Sequence, residues 1–237
     1  FFLVGETLHG DYNQWMNDSM LHSVTNYECY KGLYSSFNSM NMFEINHSLL
    51  RQFGPDNWTL YKGKHLLSFV DNHDVTRVAS ILSNENHLPL IYALAFGMPG
   101  IPCVYYGSEW GAKARKEEGD PALRACFEKP EWNDLTTFIS RLAEAKKHSN
   151  ALNYGDFRSV LLTNRQYAFG RLGENTMILS SVNNDSQPAA LSIPVPFPAS
   201  QAINLLDGEA PSIPVENGRL SVTLPPSGGA IFKLREA

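Results

Sequence analysis

The chain is short of cysteine, with only Cys29, Cys103 and Cys126 in 237 residues. They show no CxxC spacing and no companion His pair, so no zinc site is expected. A sparse, odd set fits a reducing compartment better than a disulfide scaffold. Cys103 lies in an apolar run and reads as a small core residue. Basic clusters are also missing. The densest, Lys113-Ala114-Arg115-Lys116, is followed at once by Glu117-Glu118, and the formal net charge is −5. Neither nucleic acid nor an anionic membrane is therefore expected as a partner. No apolar run approaches membrane-spanning length. Phe1-Phe2-Leu3-Val4 is too short for a signal peptide and lacks a basic leader. What is present is an apolar content of 43%, enough for a core and too much for general disorder.

Residues 1–150 alternate between strand and helix. Apolar runs at 2–5, 66–70 and 101–106 read as strands, and the β-branched and aromatic 23–27 as another. Helical spacing marks 15–21, 30–37, 42–53, 77–82, 89–96 and 135–148; Gly54-Pro55 and Gly97-Met98-Pro99-Gly100 act as stops. In the last of these, Leu135, Phe138, Ile139, Leu142 and Ala145 share one face. Repeated strand–helix alternation implies a parallel sheet. The texture changes near Leu152. Short alternating segments at 157–163, 167–171, 177–182, 189–193, 202–206, 220–224 and 230–234 are separated by turn residues such as Asp207-Gly208 and Asn217-Gly218. That pattern predicts an antiparallel β sandwich or barrel. The expected domains are 1–152 and 153–237.

Two apolar runs end in carboxylates. Phe1-Phe2-Leu3-Val4-Gly5 leads into Glu6, and Leu66 to Val70 leads through Asp71-Asn72-His73 to Asp74. Continuous apolar runs suit strands buried on both faces. In a (β/α)₈ barrel the residues just past the carboxyl ends of such strands line the active site. Two carboxylates in one site are the equipment of glycoside hydrolysis. The plainer alternative is a strand-end carboxylate that caps a nearby helix.

Three segments taken in order carry a resemblance. Gly5-Glu6 after its strand, Phe69-Val70-Asp71-Asn72-His73-Asp74, and Ile101-Pro102-Cys103-Val104-Tyr105-Tyr106-Gly107-Ser108-Glu109-Trp110-Gly111 together resemble the α-amylase superfamily, family 13 of the glycoside hydrolases. Residues 23–34 and Arg51-Gln52-Phe53-Gly54 are similar to its neopullulanase-like members. The resemblance implies an α/β half of a TIM (β/α)₈ barrel followed by an antiparallel all-β sandwich domain. It implies Glu6 as general acid/base and Asp74 as the carboxylate that binds sugar hydroxyls and opposes the developing oxocarbenium charge. It makes His73 a donor to a sugar hydroxyl. Substrate would be an α-glucan or maltooligosaccharide, with no cofactor and no metal. Trp15, in the loop after Glu6, either stacks on a sugar ring or belongs to the core. Arg77 either contacts substrate or orients a carboxylate by a bidentate pair. His9, Asp11 and Tyr12 are further subsite candidates. Tyr105 and Tyr106 are expected to split inward and outward, and Glu109 to be a structural partner in the closing loop.

One component of that family is missing. Its retaining mechanism needs a nucleophilic Asp on a Gly-x-Arg-x-Asp-type strand preceding the acid/base, and no Arg-x-Asp occurs anywhere in the chain. The early-barrel Asp and His motif, which in relatives helps bind calcium, is absent too. The chain thus resembles strands five to eight of the barrel plus the C-terminal domain. A half barrel has two open strand edges, at 2–5 and 101–106, and self-association through them is expected. Two readings follow. One is a fragment of an α-glucan-active retaining hydrolase, or of a transglycosylase or branching-type enzyme, inactive alone. The other is a non-catalytic carbohydrate-binding or assembly protein that kept the fold.

Overall fold

A computed structural model describes residues 1–236. Four short strands come first: β1 (Val4–Gly5), β2 (Ser23–Val24), β3 (Leu67–Phe69) and β4 (Ile101–Cys103). β1 pairs parallel with β2, and β3 parallel with β4. A parallel bridge from Thr25 to Leu67 joins the two pairs in the spatial order 1-2-3-4. Parallel strands need long crossovers, and helices α1 (Tyr27–Asn38), α2 (Phe43–Phe53), α3 (Val78–Ile81) and α4 (Leu88–Gly97) supply them. After β4 come α5 (Asp120–Leu123), α6 (Asp134–Lys147) and α7 (Asn150–Tyr154).

The departures from the sequence pattern have local causes. Residues 15–21 do not form a helix; only a 3₁₀ turn, Tyr12–Gln14, precedes them. Asn17 instead bonds the carbonyls of Asn13 and Gln14 and accepts from the Ser19 amide, as short polar side chains do when they compete with helix. The strand at 23–27 stops early because Asn26 caps α1, its side chain accepting from the Cys29 amide at 3.1 Å. β1 is not buried on both faces. Phe1, Phe2, Leu3 and Val4 are 110%, 54%, 40% and 46% exposed, because β2 is the only strand beside them among the described residues. Cys103 is likewise exposed rather than in the core, since β4 is the other edge.

The second part is antiparallel: β5 (Asp156–Leu162), β6 (Gln166–Leu172), β7 (Met177–Asn183), β8 (Ala189–Pro194), β9 (Gln201–Asn204), β10 (Ile213–Glu216), β11 (Arg219–Leu224) and β12 (Gly228–Arg235). It is one continuous eight-stranded sheet, in the order 5-6-7-12-9-10-11-8, rather than two stacked sheets. A bulge at Ser159–Leu161 helps it curl until β5 lies near β8. The curl encloses Ala168, Met177, Leu179, Ile193 and Phe232. The alternate residues Phe169, Ile178 and Ile231 face outward and join the core of the helical part, the period-2 consequence of the pleat. β10 has no counterpart in the sequence reading; Pro214 masks it.

α4 ties the two parts together. It is apolar on every side, which marks a helix buried all round, and it packs against α1, α6, β7 and β12. At its end sits a buried amine. Lys146 donates to the carbonyls of Phe96 and Leu152 at 3.3 and 3.2 Å. Burial, and to a lesser degree the nearby Arg171, lower its pKa to about 7. In the unfolded chain this amine titrates near 10.5. Between those values the unfolded chain holds a proton that the folded one does not, so stability rises with pH. Denaturation midpoints from pH 7 to 10 are expected to rise in the parent chain relative to Lys146→Met. Parallel pH profiles for the two proteins would contradict this.

Candidate active site

The carboxyl ends of the parallel strands gather the polar side chains. Glu6 follows β1 directly and is exposed. Tyr27, just past β2, donates its hydroxyl proton to Glu6 Oε1 at 2.8 Å. Asn72, past β3, donates from Nδ2 to the Tyr27 oxygen at 2.9 Å. Its Oδ1 accepts from the Asp74 amide at 2.9 Å. Glu6 and Asp74 are thus joined by one chain of hydrogen bonds at one end of one sheet. His73 Nε2 lies 3.3 Å from Asp74 Oδ2. Arg124 donates to Asp74 Oδ1 at 3.0 Å and lies 3.5 Å from Asp120, one helical turn earlier.

Arg77 is elsewhere. It is 1% exposed, and it donates to the carbonyls of Tyr106 at 2.5 Å and Leu123 at 2.8 Å and to Ser108 Oγ at 3.1 Å. A buried guanidinium held this way ties the loop together through its carbonyls, and its donors go to no carboxylate. Tyr105 and Tyr106 do not split. Both rings flank Arg77, at 4.4 and 5.2 Å, because β4 ends at Cys103 and strand alternation ends with it. Gly107 makes the close turn possible: at φ 87°, a Cβ there would lie 2.6 Å from the Phe127 ring. Ser108 passes the contact on to Asp71, donating to Oδ2 at 2.7 Å beside the Val78 amide at 2.8 Å. Burial pushes the Asp71 carboxyl up to about 6, against those bonds and the charge of Arg77. Glu109 accepts from Thr136 through its backbone carbonyl. Arg77→Met would leave two carbonyls and Ser108 Oγ without their donor, and the buried Asp71 without a nearby positive charge. It is expected to cost about 3 kcal/mol or more in chemical denaturation; a loss below about 1 kcal/mol would contradict this role.

Trp15 is 46% exposed. It follows the 3₁₀ turn, with backbone bonds to Tyr12 and Leu21, whereas Glu6 and Asp74 are held by other side chains. Tyr12 is buried against Tyr61. Tyr106, Trp110, Phe127 and Arg124 line a recess of about 440 Å³, which Arg124 links to Asp74. A larger cavity of about 1040 Å³ lies at the opposite, amino end of the strands, between Phe2, His22, His65 and Ile101. Among the described residues no group of three His, Cys, Asp or Glu could hold a metal ion, and no helix is long and apolar enough to cross a membrane.

Residues 1–155 match the family described as alpha amylase, catalytic domain. This chain belongs to the alpha-amylase family. A cyclomaltodextrin glucanotransferase of Bacillus sp. (strain 6.6.3) is 28% identical over 179 residues, 72% of this chain and 24% of that protein. A cyclomaltodextrinase of Thermoanaerobacter pseudethanolicus (strain ATCC 33223 / 39E) is 25% identical over 199 residues, 78% of this chain and 32% of that one. In fold, the chain superposes over its whole length on half (50%) of CldA, described as the first cyclomaltodextrin glucanotransferase with a three-domain ABC distribution, with a TM-score of 0.84 and 22% identity. It therefore spans about half, or less, of the alpha-amylase family proteins it matches.

The sequence reading missed Tyr27, Asn72 and Arg124 as site residues. Arg124 had a signal: Asp120 and Arg124 stand four apart on either side of Pro121, the spacing of a helical ion pair. Tyr27 had none, because its role depends on a neighbour twenty-one residues away.

Proposed function

We propose that the chain is one part of a retaining α-glucan-active glycoside hydrolase. In this reading, residues 1–152 are the second half of a (β/α)₈ catalytic barrel and 153–237 its C-terminal β domain. The carrying observation is the hydrogen-bonded chain Glu6–Tyr27–Asn72–Asp74 at the carboxyl end of a four-stranded parallel sheet. Glu6 is the general acid/base, exposed where a leaving oxygen can reach it. Asp74, held by His73 and Arg124, is the carboxylate that binds sugar hydroxyls and opposes the oxocarbenium charge. His73 is a sugar-hydroxyl donor. The aromatic recess at Tyr106, Trp110 and Phe127 offers ring faces beside Arg124 on which a glucosyl unit can stack. Trp15, exposed on its loop, is kept as an outer stacking candidate. Arg77 positions the loop. Family membership, and relatives named cyclomaltodextrin glucanotransferase, cyclomaltodextrinase and intracellular maltogenic amylase, support an α-glucan as substrate.

The open edges belong to the same reading. β1 and β4 each lack one neighbour, and both expose apolar side chains, so two copies can pair β1 with β4 of the partner and complete a ring of eight parallel strands. The catalytic assignment is tested by supplying what this chain lacks. Joined behind the first half of a relative's barrel, with its Arg-x-Asp strand, the chain should hydrolyse maltodextrin. Glu6→Gln should lower that rate roughly 10²–10⁴-fold. Activity indifferent to Glu6→Gln would overturn it.

A further inference from the structure

We propose that Tyr27 is a positioning residue that couples the Glu6 carboxylate to the backbone amide of Asp74, so that a proton arriving on Glu6 is felt at the Asp74 backbone. The inference rests on reading Glu6 and Asp74 as members of one site. Its basis is the direction of three consecutive hydrogen bonds. The Asp74 amide donates to Asn72 Oδ1, Asn72 Nδ2 donates to the Tyr27 oxygen, and the Tyr27 hydroxyl donates to Glu6 Oε1. Every donor points from Asp74 toward Glu6. A phenol has one proton to give. Giving it to Glu6 leaves its oxygen to accept from Asn72, and hydrogen bonds in such a series polarise one another.

Tyr27 is built to hold still. It opens α1, whose cap Asn26 is locked to Gln52 by a reciprocal amide pair at 2.9 and 3.1 Å. Its ring meets Phe69 edge-on at 4.9 Å and Tyr30 at 6.0 Å. Phe69 is the last residue of β3, so one contact fixes the ring to the strand that carries Asn72 and Asp74. Burial, with Glu6 nearby, raises the Tyr27 pKa to about 12, so the hydroxyl keeps its proton across the working range.

The test is a pH titration of the chain followed by NMR at the Asn72 side-chain amide and the Asp74 backbone amide. Glu6→Gln identifies which step in those signals belongs to Glu6. The expected result is a step present in the parent chain and absent from both Glu6→Gln and Tyr27→Phe. The Phe variant keeps the ring on Phe69, and Asn72→Ala removes the middle link by another route and should abolish the Asp74 step as well. A Glu6-dependent step that survives Tyr27→Phe, or none in the parent chain, would overturn the proposal. A chain that shows the step yet binds no maltooligosaccharide supports the coupling and overturns only the functional reading on which its purpose depends.

Discussion

The purified chain should release no reducing ends from starch or maltodextrin above background. A retaining mechanism needs a nucleophilic carboxylate about 5–5.5 Å from the acid/base. No Arg-x-Asp segment exists in the sequence to provide one. The two carboxylates that follow β3 are committed elsewhere. Asp74 is paired with Arg124 and His73. Asp71 is buried behind the strand, bonded to Ser108 and Val78. An acid without its nucleophile can protonate a leaving group but cannot form the glycosyl-enzyme bond. Reducing-sugar release over a day at micromolar protein, compared with Glu6→Gln, checks this. Turnover in the parent chain that vanishes in Glu6→Gln would show that another group supplies the nucleophile.

The second large effect is assembly. Val4 on the edge strand β1, and Phe1, Phe2 and Leu3 just before it, stand 40% or more exposed, and unpaired edges of this kind recruit other strands. Covering a few hundred Å² of such surface contributes several kcal/mol at roughly 25 cal/mol per Å². Sedimentation at micromolar concentration should therefore show a species heavier than the 26.5 kDa chain. Val4→Lys, placing a charge on the edge, should shift it toward monomer. The antiparallel sheet, with its own enclosed core, should contribute little to the contact. A well-behaved monomer that binds no hydrophobic dye would contradict the prediction.

The strand–helix alternation and the two carboxylate-ended runs were legible because buried parallel strands are written as unbroken apolar segments. The strands themselves proved shorter than those runs: β1 is two residues where four were expected, because a strand lacking one neighbour loses ladder bonds at its ends. Burial of residues 1–4 and of Cys103 was misread for the same reason. Periodicity reports what a segment is suited to, not whether its partner is present. Glu6, His73 and Asp74 came to one end of the sheet, as their positions after strands implied. Arg77 and the tyrosines could not be placed from sequence. The loop that folds over them, 104–133, is held by carbonyl and hydroxyl bonds that leave no periodic trace. Residues 15–21 were read as a helix on apolar spacing alone, and the Asn17 side chain decided otherwise.

The account turns on the carboxyl ends of β1 and β3 forming one glucan site. Titrating the chain with maltoheptaose and following amide shifts addresses that directly. Shifts should cluster at Glu6, Tyr27, Asn72, His73, Asp74 and Arg124, and weaken in Asp74→Asn. No shifts, or shifts confined to the amino-end cavity around Phe2, His22, Lys64 and Ile101, would contradict it.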